Sequence, residues 1–307
     1  MPLGKRNLTV TLAMPSGNVV LDASLDMKVK IAVSALAVQS MCEITVTNLS
    51  VQLRSSLLSQ FTAWNKRNIE SGKVPQVVPS GQTPTLGTQQ SYVNVAVTAG
   101  YENPGQPSNA VQIFAGQVVL AKPFGELPNM GFKITCFTQQ LSKVTWTTQV
   151  PPGQMTFKAY VAWVAGQYGV PFVCETSYDD RLITNPGASI HTVGDLLVDL
   201  QSYYRPNVAA YFDSRANMII VKDVNAVITS ANTVTIDEFI NMPLWDEWGV
   251  TFVVLFNPQI VLAGQALLKS VMNPDLNGVG WVINQIDYYL TTRDNPFDMR
   301  VHGLPPA

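Results

Sequence analysis

Few residues in this chain belong to types that do chemistry, and their spacing suits it poorly. Histidine occurs twice, at His191 and His302, and neither has a cysteine or carboxylate at metal-ligand spacing. Adjacent acidic pairs stand at Asp179-Asp180, Asp237-Glu238 and Asp246-Glu247. A glycosidase needs two facing carboxylates of split pKa, whereas neighbours in loop-like surroundings are both solvated. Trp245 and Trp248 bracket the third pair and could stack on sugars, although structural tryptophans in a bent connection are commoner. No GxSxG elbow, Gly-Lys-Ser/Thr phosphate loop or GxGxxG is present, and Gly72-Lys73 runs on into Val74. The expectation is no catalytic, cofactor-binding or metal-binding residue, and a protein that is not an enzyme.

Cys42, Cys136 and Cys174 make an odd count without CxxC spacing. Cys136 lies in an apolar run, where a free thiol behaves as a small hydrophobe. Reduced thiols and assembly in a host cytoplasm are expected, not a disulfide framework.

Composition narrows the class further. Of 307 residues 13% are charged, about half the usual share, while 47% are hydrophobic. So weakly charged a surface suits a protein largely covered by neighbours; an ordinary β-rich domain with few charges is the plainer alternative. The 19 basic and 21 acidic residues are scattered, giving a net charge of −2 and no footprint for gripping phosphates. The start, Met1-Pro-Leu-Gly-Lys-Arg6, is not a signal peptide. The longest apolar run, Ile31 to Cys42, is too short for a membrane-spanning segment, so a soluble chain is expected.

The elements that would carry these residues are mostly strands. Leu8 to Leu12 alternates with period two, Pro15-Ser-Gly-Asn18 reads as a turn, and Val19 to Leu21 completes a hairpin. Val29 to Val33 and Glu43 to Thr47 alternate again. Ser50 then caps a helix whose Leu53, Leu57, Leu58 and Phe61 share one face. Residues 71–90 form an uncharged Gly/Pro/Gln-rich loop, read either as a disordered tip or as an arm ordered by a neighbouring subunit. Tyr92 to Thr98 and Lys143 to Val150 add strands.

Composition changes at Pro151-Pro-Gly153. Phe157, Tyr160, Val161, Val164, Ala165 and Tyr168 repeat at helical spacing up to Gly169. A second helix starts at Thr192 with Val193, Leu196, Leu197 and Leu200 as its buried stripe. Asn207 to Phe212 and Asn217 to Val221 form a hairpin. From Val234 the pattern is β again. Trp281 and Ile283 have one parity, Ile286, Tyr288 and Leu290 the other, which predicts a β-bulge near Asn284-Gln285.

One motif occurs twice. Ile113-Phe-Ala-Gly-Gln-Val-Val-Leu120 and Val261-Leu-Ala-Gly-Gln-Ala-Leu-Leu268 both read as a strand leading, through a loop of nearly equal length, into a second strand. Two such hairpins suggest two related β-modules in one protomer.

Together these pieces resemble the baseplate hub proteins of long-tailed bacteriophages, the tube-to-spike adaptor family. The resemblance rests on Glu43-Ile-Thr-Val-Thr-Asn-Leu-Ser50 leading into a helix, Val93 to Tyr101 before Ile113 to Val118, and the helical Met155 to Val170. It continues through Gly249-Val250, Phe256-Asn-Pro-Gln-Ile260, Gly264-Gln265, Asn277-Gly278 and Ile286 to Thr292, covering most of the chain. It implies an α+β fold, mainly antiparallel β, with two tube-type β-barrel-like domains and an α/β insert domain between them. The corresponding boundaries are 1–150, with a helical insertion and the loop 71–90; 151–230, the α/β domain; and 231–307, the second tube-type domain.

It also implies a structural virion protein: a homotrimeric hub joining the hexameric tail tube protein to the trimeric central spike protein, beside other baseplate proteins. Such a trimer forms part of a central channel through which DNA or tape-measure protein passes without stable binding. Larger relatives carry a fused lysozyme or spike domain; none follows Ala307, so a separate chain is expected to supply it. The rival readings are a receptor- or carbohydrate-binding tail protein and a tail-associated cell-wall hydrolase acting through Asp246 or Glu247.

Overall fold

The computed structural model describes residues 4–14, 17–37, 39–61, 93–102, 108–125, 130–138, 151, 153–187, 190 and 193–306. The loop 71–90, the strand expected over 143–150, His191 and the cap residue Thr192 lie outside them.

Alternating sequence builds the first run of strands: β1 (Lys5–Met14), β2 (Gly17–Leu21), β3 (Met27–Ser34) and β4 (Met41–Thr47). In β3, Met27, Val29, Ile31 and Val33 are buried while Lys28 and Lys30 face out, so the period of two fixes which face meets the core. Asn48 (φ 60) turns the chain into helix α1 (Val51–Phe61), where Ser50 Oγ accepts from Leu53 N at 3.3 Å. Leu57 of α1 is fully buried, and Leu53 and Leu58 pack beside it. Three further strands follow: β5 (Asn94–Glu102), β6 (Val111–Phe124) and β7 (Gly131–Phe137).

The middle of the chain has its own core. It contains β8 (Gln154–Thr156), α2 (Phe157–Tyr168), β9 (Phe172–Glu175), β10 (Leu182–Thr184), α3 (Val193–Ser202), β11 (Val208–Asp213) and β12 (Met218–Asp223). Thr156 caps α2, its hydroxyl accepting from Ala159 N at 3.3 Å, and Gly169 ends the helix at φ 66. Antiparallel β11–β12 and parallel β9–β12 make a three-stranded sheet. Phe157, Tyr160, Val164, Leu196, Leu197, Leu200, Val208 and Val221 fill the space between the helices and that sheet.

The last third is β13 (Thr233–Ile236), β14 (Asn241–Trp245), β15 (Val250–Leu255), β16 (Gln265–Leu268), β17 (Gly280–Thr291) and β18 (Phe297–Leu304). These strands do not stand apart from the first run. One 13-stranded sheet runs in the order β14-β15-β18-β17-β3-β4-β7-β6-β5-β1-β2, with β16 also on β17 and β13 on β16. A single hydrophobic cluster takes in Val10, Ile44 and Ile134 from early strands and Phe252, Ile286 and Val301 from late ones.

β17 makes the join. Its Gly280–Val282 stretch pairs with β16, and Gln285–Thr291, on the same edge, pairs with β3. The exchange occurs at Asn284: Ile283 N donates to Gly264 O at 2.9 Å, and Ala35 N donates to Asn284 O at 2.8 Å. Pairing with β18 slips one residue between Ile283 and Gln285, which is the bulge the parity change predicts. Because of it, Trp281, Ile283, Ile286, Tyr288 and Leu290 all reach the same core.

The repeated motif does not repeat its backbone. Ile113 to Leu120 lies wholly within β6, but only Gln265–Leu268 of the second copy is strand. Ala263 takes φ 59, a left-handed conformation costly for alanine. It is buried and held there, Ala263 N donating to Ile283 O at 2.9 Å and Gly264 N to Val261 O at 3.2 Å. The outer neighbours differ too, β5 antiparallel to β6 and β13 parallel to β16. Long-range bonds to the bulge override the local likeness.

Lys222 on β12 is buried at 1% exposure, and its Nζ donates to Asp223 O (3.0 Å), Val224 O (2.8 Å) and Ala226 O (2.7 Å). Three donors thus meet three carbonyls of the segment leaving the small core. Lys222→Met removes the donor from Val224 O and Ala226 O, while Asp223 O keeps Ala226 N at 3.0 Å, and is expected to cost about 2–4 kcal/mol, read as a lower denaturant midpoint. Deleting Asn284 leaves Trp281, Ile283, Ile286, Tyr288 and Leu290 in regular alternation but removes the carbonyl that accepts from Ala35 N and the step that passes the edge from β16 to β3; a lower unfolding midpoint is expected, and an unchanged one would contradict the role given to the bulge.

Candidate interaction surface

The candidates for chemistry are spread apart. Asp179 lies 3.9 Å from Lys158 Nζ in a partly exposed pair, and Asp237, Glu238 and Glu247 are exposed. Cys42 and Cys136 face each other across β4 and β7, fully buried, and burial pushes both thiols up. Burial likewise pushes Cys174 up to about 11. A raised thiol pKa favours the protonated form over the nucleophilic thiolate. Among the described residues no three His, Cys, Asp or Glu side chains gather as metal ligands.

One grouping has the types of a catalytic triad. Asp246 Oδ2 accepts from Thr251 Oγ1 at 2.5 Å, Thr251 Oγ1 is 2.9 Å from His302 Nδ1, and that same Nδ1 is 3.4 Å from Asp246 Oδ2. A relay needs the imidazole to hold the acid through one nitrogen and the nucleophile through the other. Here one nitrogen meets both groups, which is not that relay geometry. Asp246 instead closes the β14–β15 turn, accepting from Trp248 N at 2.9 Å and Gly249 N at 2.7 Å. Burial raises its carboxyl, but the bonds from Thr251, Trp248, Gly249 and His302 outweigh that and leave it below its ordinary value. Gly249 is required there, since a Cβ would strike Gly303 O on β18.

This clip borders a cleft of about 760 Å³ between the small core and the late strands, lined by Gln201, Arg205, Ala209, Trp248, Asn284 and His302 among others. Trp245 packs edge-on against buried Trp281 at 5.3 Å, leaving Trp248, 72% exposed, as the free indole of the pair.

The small core is pinned to both parts of the large sheet. On the β11–β12 turn, Ser214 O accepts from Gln112 Nε2 of β6 at 3.2 Å, and Arg215 Nη2 donates to Pro258 O, past β15, at 2.7 Å. Burial raises the Asp213 carboxyl, opposed by the N–H groups of Arg215 and Ala216 and by the Arg215 charge. Sequence reading saw this turn only as a hairpin connection, and it missed Lys222, a lone cation on the apolar parity of its strand.

The large sheet's outer face carries mixed charge. Lys30 pairs with Glu43 across β3–β4, Glu43 bridges Lys133 at 2.5 Å, Asp287 pairs with Arg300 across β17–β18, and Lys30 lies 6.0 Å over the Tyr289 ring. No helix among the described residues is long and apolar enough to cross a membrane.

This mainly antiparallel sheet with its pinned α/β insert is similar in fold to several solved proteins. The prophage MuSo2 43 kDa tail protein of Shewanella oneidensis aligns over 96% of this chain and 97% of its own, at TM-score 0.52 and 11% identity. A tail protein of Neisseria meningitidis MC58 aligns over 97% and 96%, at TM-score 0.54 and 9% identity. An Escherichia coli type VI secretion component, described as similar to T4 tail proteins gp27 and gp5, aligns over 92% and 74% at TM-score 0.51 and 10% identity. No curated protein sequence matches.

The family model described as baseplate hub gp41 matches residues 7–303, and the chain belongs to that family. The protein is thus a structural component of a phage tail baseplate, and its place is the virion.

A structural Asp246 makes a specific prediction. Its folded carboxyl ionises below the unfolded value of about 3.9, so its contribution is complete above about pH 4 and fades as pH falls further. Partly exposed, it is worth under about 1 kcal/mol. Asp246→Asn is expected to lower the melting midpoint by about 1–2 °C at pH 6, the gap from wild type closing below pH 4.

Proposed function

We propose that the protein is the non-enzymatic, trimeric hub that joins the hexameric tail tube to the trimeric central spike. In this reading 1–150 and 231–307 are the two tube-type domains of each copy and 151–230 the peripheral α/β domain. Three copies then offer six β-lobes to the tube and three equivalent positions to the spike. The observation that carries the reading is the pair of strand groups, β1–β7 and β13–β18, set on either side of an α/β insert and joined through β3 and β17. Membership of the baseplate hub family supports it.

A channel wall must let DNA or tape-measure protein slide without holding it. The alternating charges of the outer sheet face and the net charge of −2 suit that, because no run of cations neutralises successive phosphates. Other baseplate proteins cover the weakly charged flanks.

Electron-microscopic class averages of purified protein, alone and with tube and spike proteins, test the proposal. Three-fold rings with six lobes, stacking on the tube at one face and the spike at the other, are expected. A monomer at high concentration that joins neither partner would overturn it.

A further inference from the structure

The late end of the large sheet is unusually apolar outside. β14 pairs only with β15 and is the last strand in the order. On it Leu244 and Trp245 are 52% and 57% exposed, and in the next turn Trp248 is open as well. The loop after β16 adds Val271 at 96% and Met272 at 75%, and Asn273 Nδ2 ties that loop to the strand by donating to Pro243 O at 3.2 Å. Scattered apolar side chains need no explanation, but a cluster this exposed around an edge strand marks a contact surface.

The surroundings of this patch are mainly acidic, with Lys269 before the Val271 loop and Arg205 across the cleft as the cations nearby. Asp237, Glu238, Asp246 and Glu247 are all exposed, and no lysine or arginine occurs between Lys222 and Lys269. A matching surface has an apolar centre and free cations.

The chain carries such a surface elsewhere, at the end of the β6–β7 hairpin. Phe124 is 40% exposed there, and exposed Lys122 stands directly opposite Lys133 in the register. Like charges facing across two strands repel. Glu43 neutralises Lys133 at 2.5 Å, while Lys122 has no carboxylate partner among the described residues. A carboxylate from outside would relieve it.

We propose that copies of this chain join head to tail, the Lys122–Phe124 end of one seating on the Leu244–Trp248 and Val271–Met272 patch of the next. The patch and the hairpin occupy different ends of the strand order, so the contact is heterologous: each copy gives one surface and receives the other. Such contacts either close into a ring or run on as a filament, and closure at three copies rests on the function proposed above. The contact also covers the exposed edge of β14.

Light scattering and sedimentation on the full chain test this with Lys122→Glu and Leu244→Asp. Both sites are exposed, so unchanged circular dichroism and unfolding midpoints are expected. Each variant should dissociate at a concentration at least tenfold above wild type. Mixing the two variants then discriminates further, because one intact hairpin end meets one intact β14 end and a one-to-one dimer forms. Variants that remain trimeric, or a mixture no larger than its components, overturn this contact while leaving the trimeric hub standing. A wild type that stays monomeric overturns both.

Discussion

A residue in a sheet can bond one neighbour on each side, and β17 has three neighbours to satisfy. The bulge at Asn284 resolves this by dividing one edge between β16 and β3 while β18 holds the other. It also corrects the alternation of side chains. Were the strand regular through Asn284, either Trp281 and Ile283 or Ile286, Tyr288 and Leu290 would turn to solvent, at about 1.5–3 kcal/mol for each large apolar side chain. The early and late strands are one sheet because this one position is irregular.

The insert depends on that join as well. Its β11–β12 hairpin packs Tyr211 and Ile220 against Ala35, which follows β3, and Ala263, which precedes β16. Both lie beside the bulge, since Ala35 bonds Asn284 and Ala263 bonds Ile283. Gln201 of α3 adds a bond to Ala210 O at 2.6 Å and a longer one to Leu36 O at 3.5 Å. The turn carrying Ser214 and Arg215 then reaches early and late strands together. The small core is therefore held by packing and buried hydrogen bonds, beyond the two chain crossings that connect it.

Local signals carried much of this. Period-two alternation gave β1, β3 and β4, helical spacing gave α1 and α2, and the parity change in β17 located the bulge near Asn284-Gln285. Those features depend on burial of one face, which leaves a periodic trace. The second Ala-Gly-Gln misled because a short match records composition and not long-range bonding: Ala263 owes its left-handed backbone to Ile283, twenty residues on. That the two strand groups share a sheet left no trace either, since β3 and β17 pair across 250 residues of sequence with ordinary alternation on both sides. Residue types and spacing left no trace of the grouping of Asp246, Thr251 and His302, which come together only through the pairing of β15 with β18.

Backbone bonding that runs from β2 to β14 without a break has a mechanical consequence. Bending one strand group against the other would require a row of ladder bonds to open together, so the β3–β17 seam is a poor hinge. Twist and shear imposed from outside pass through it as through a stiff bracket. Any compliance needed to fit unlike neighbours must come from the ends of the sheet and from the loops beyond them.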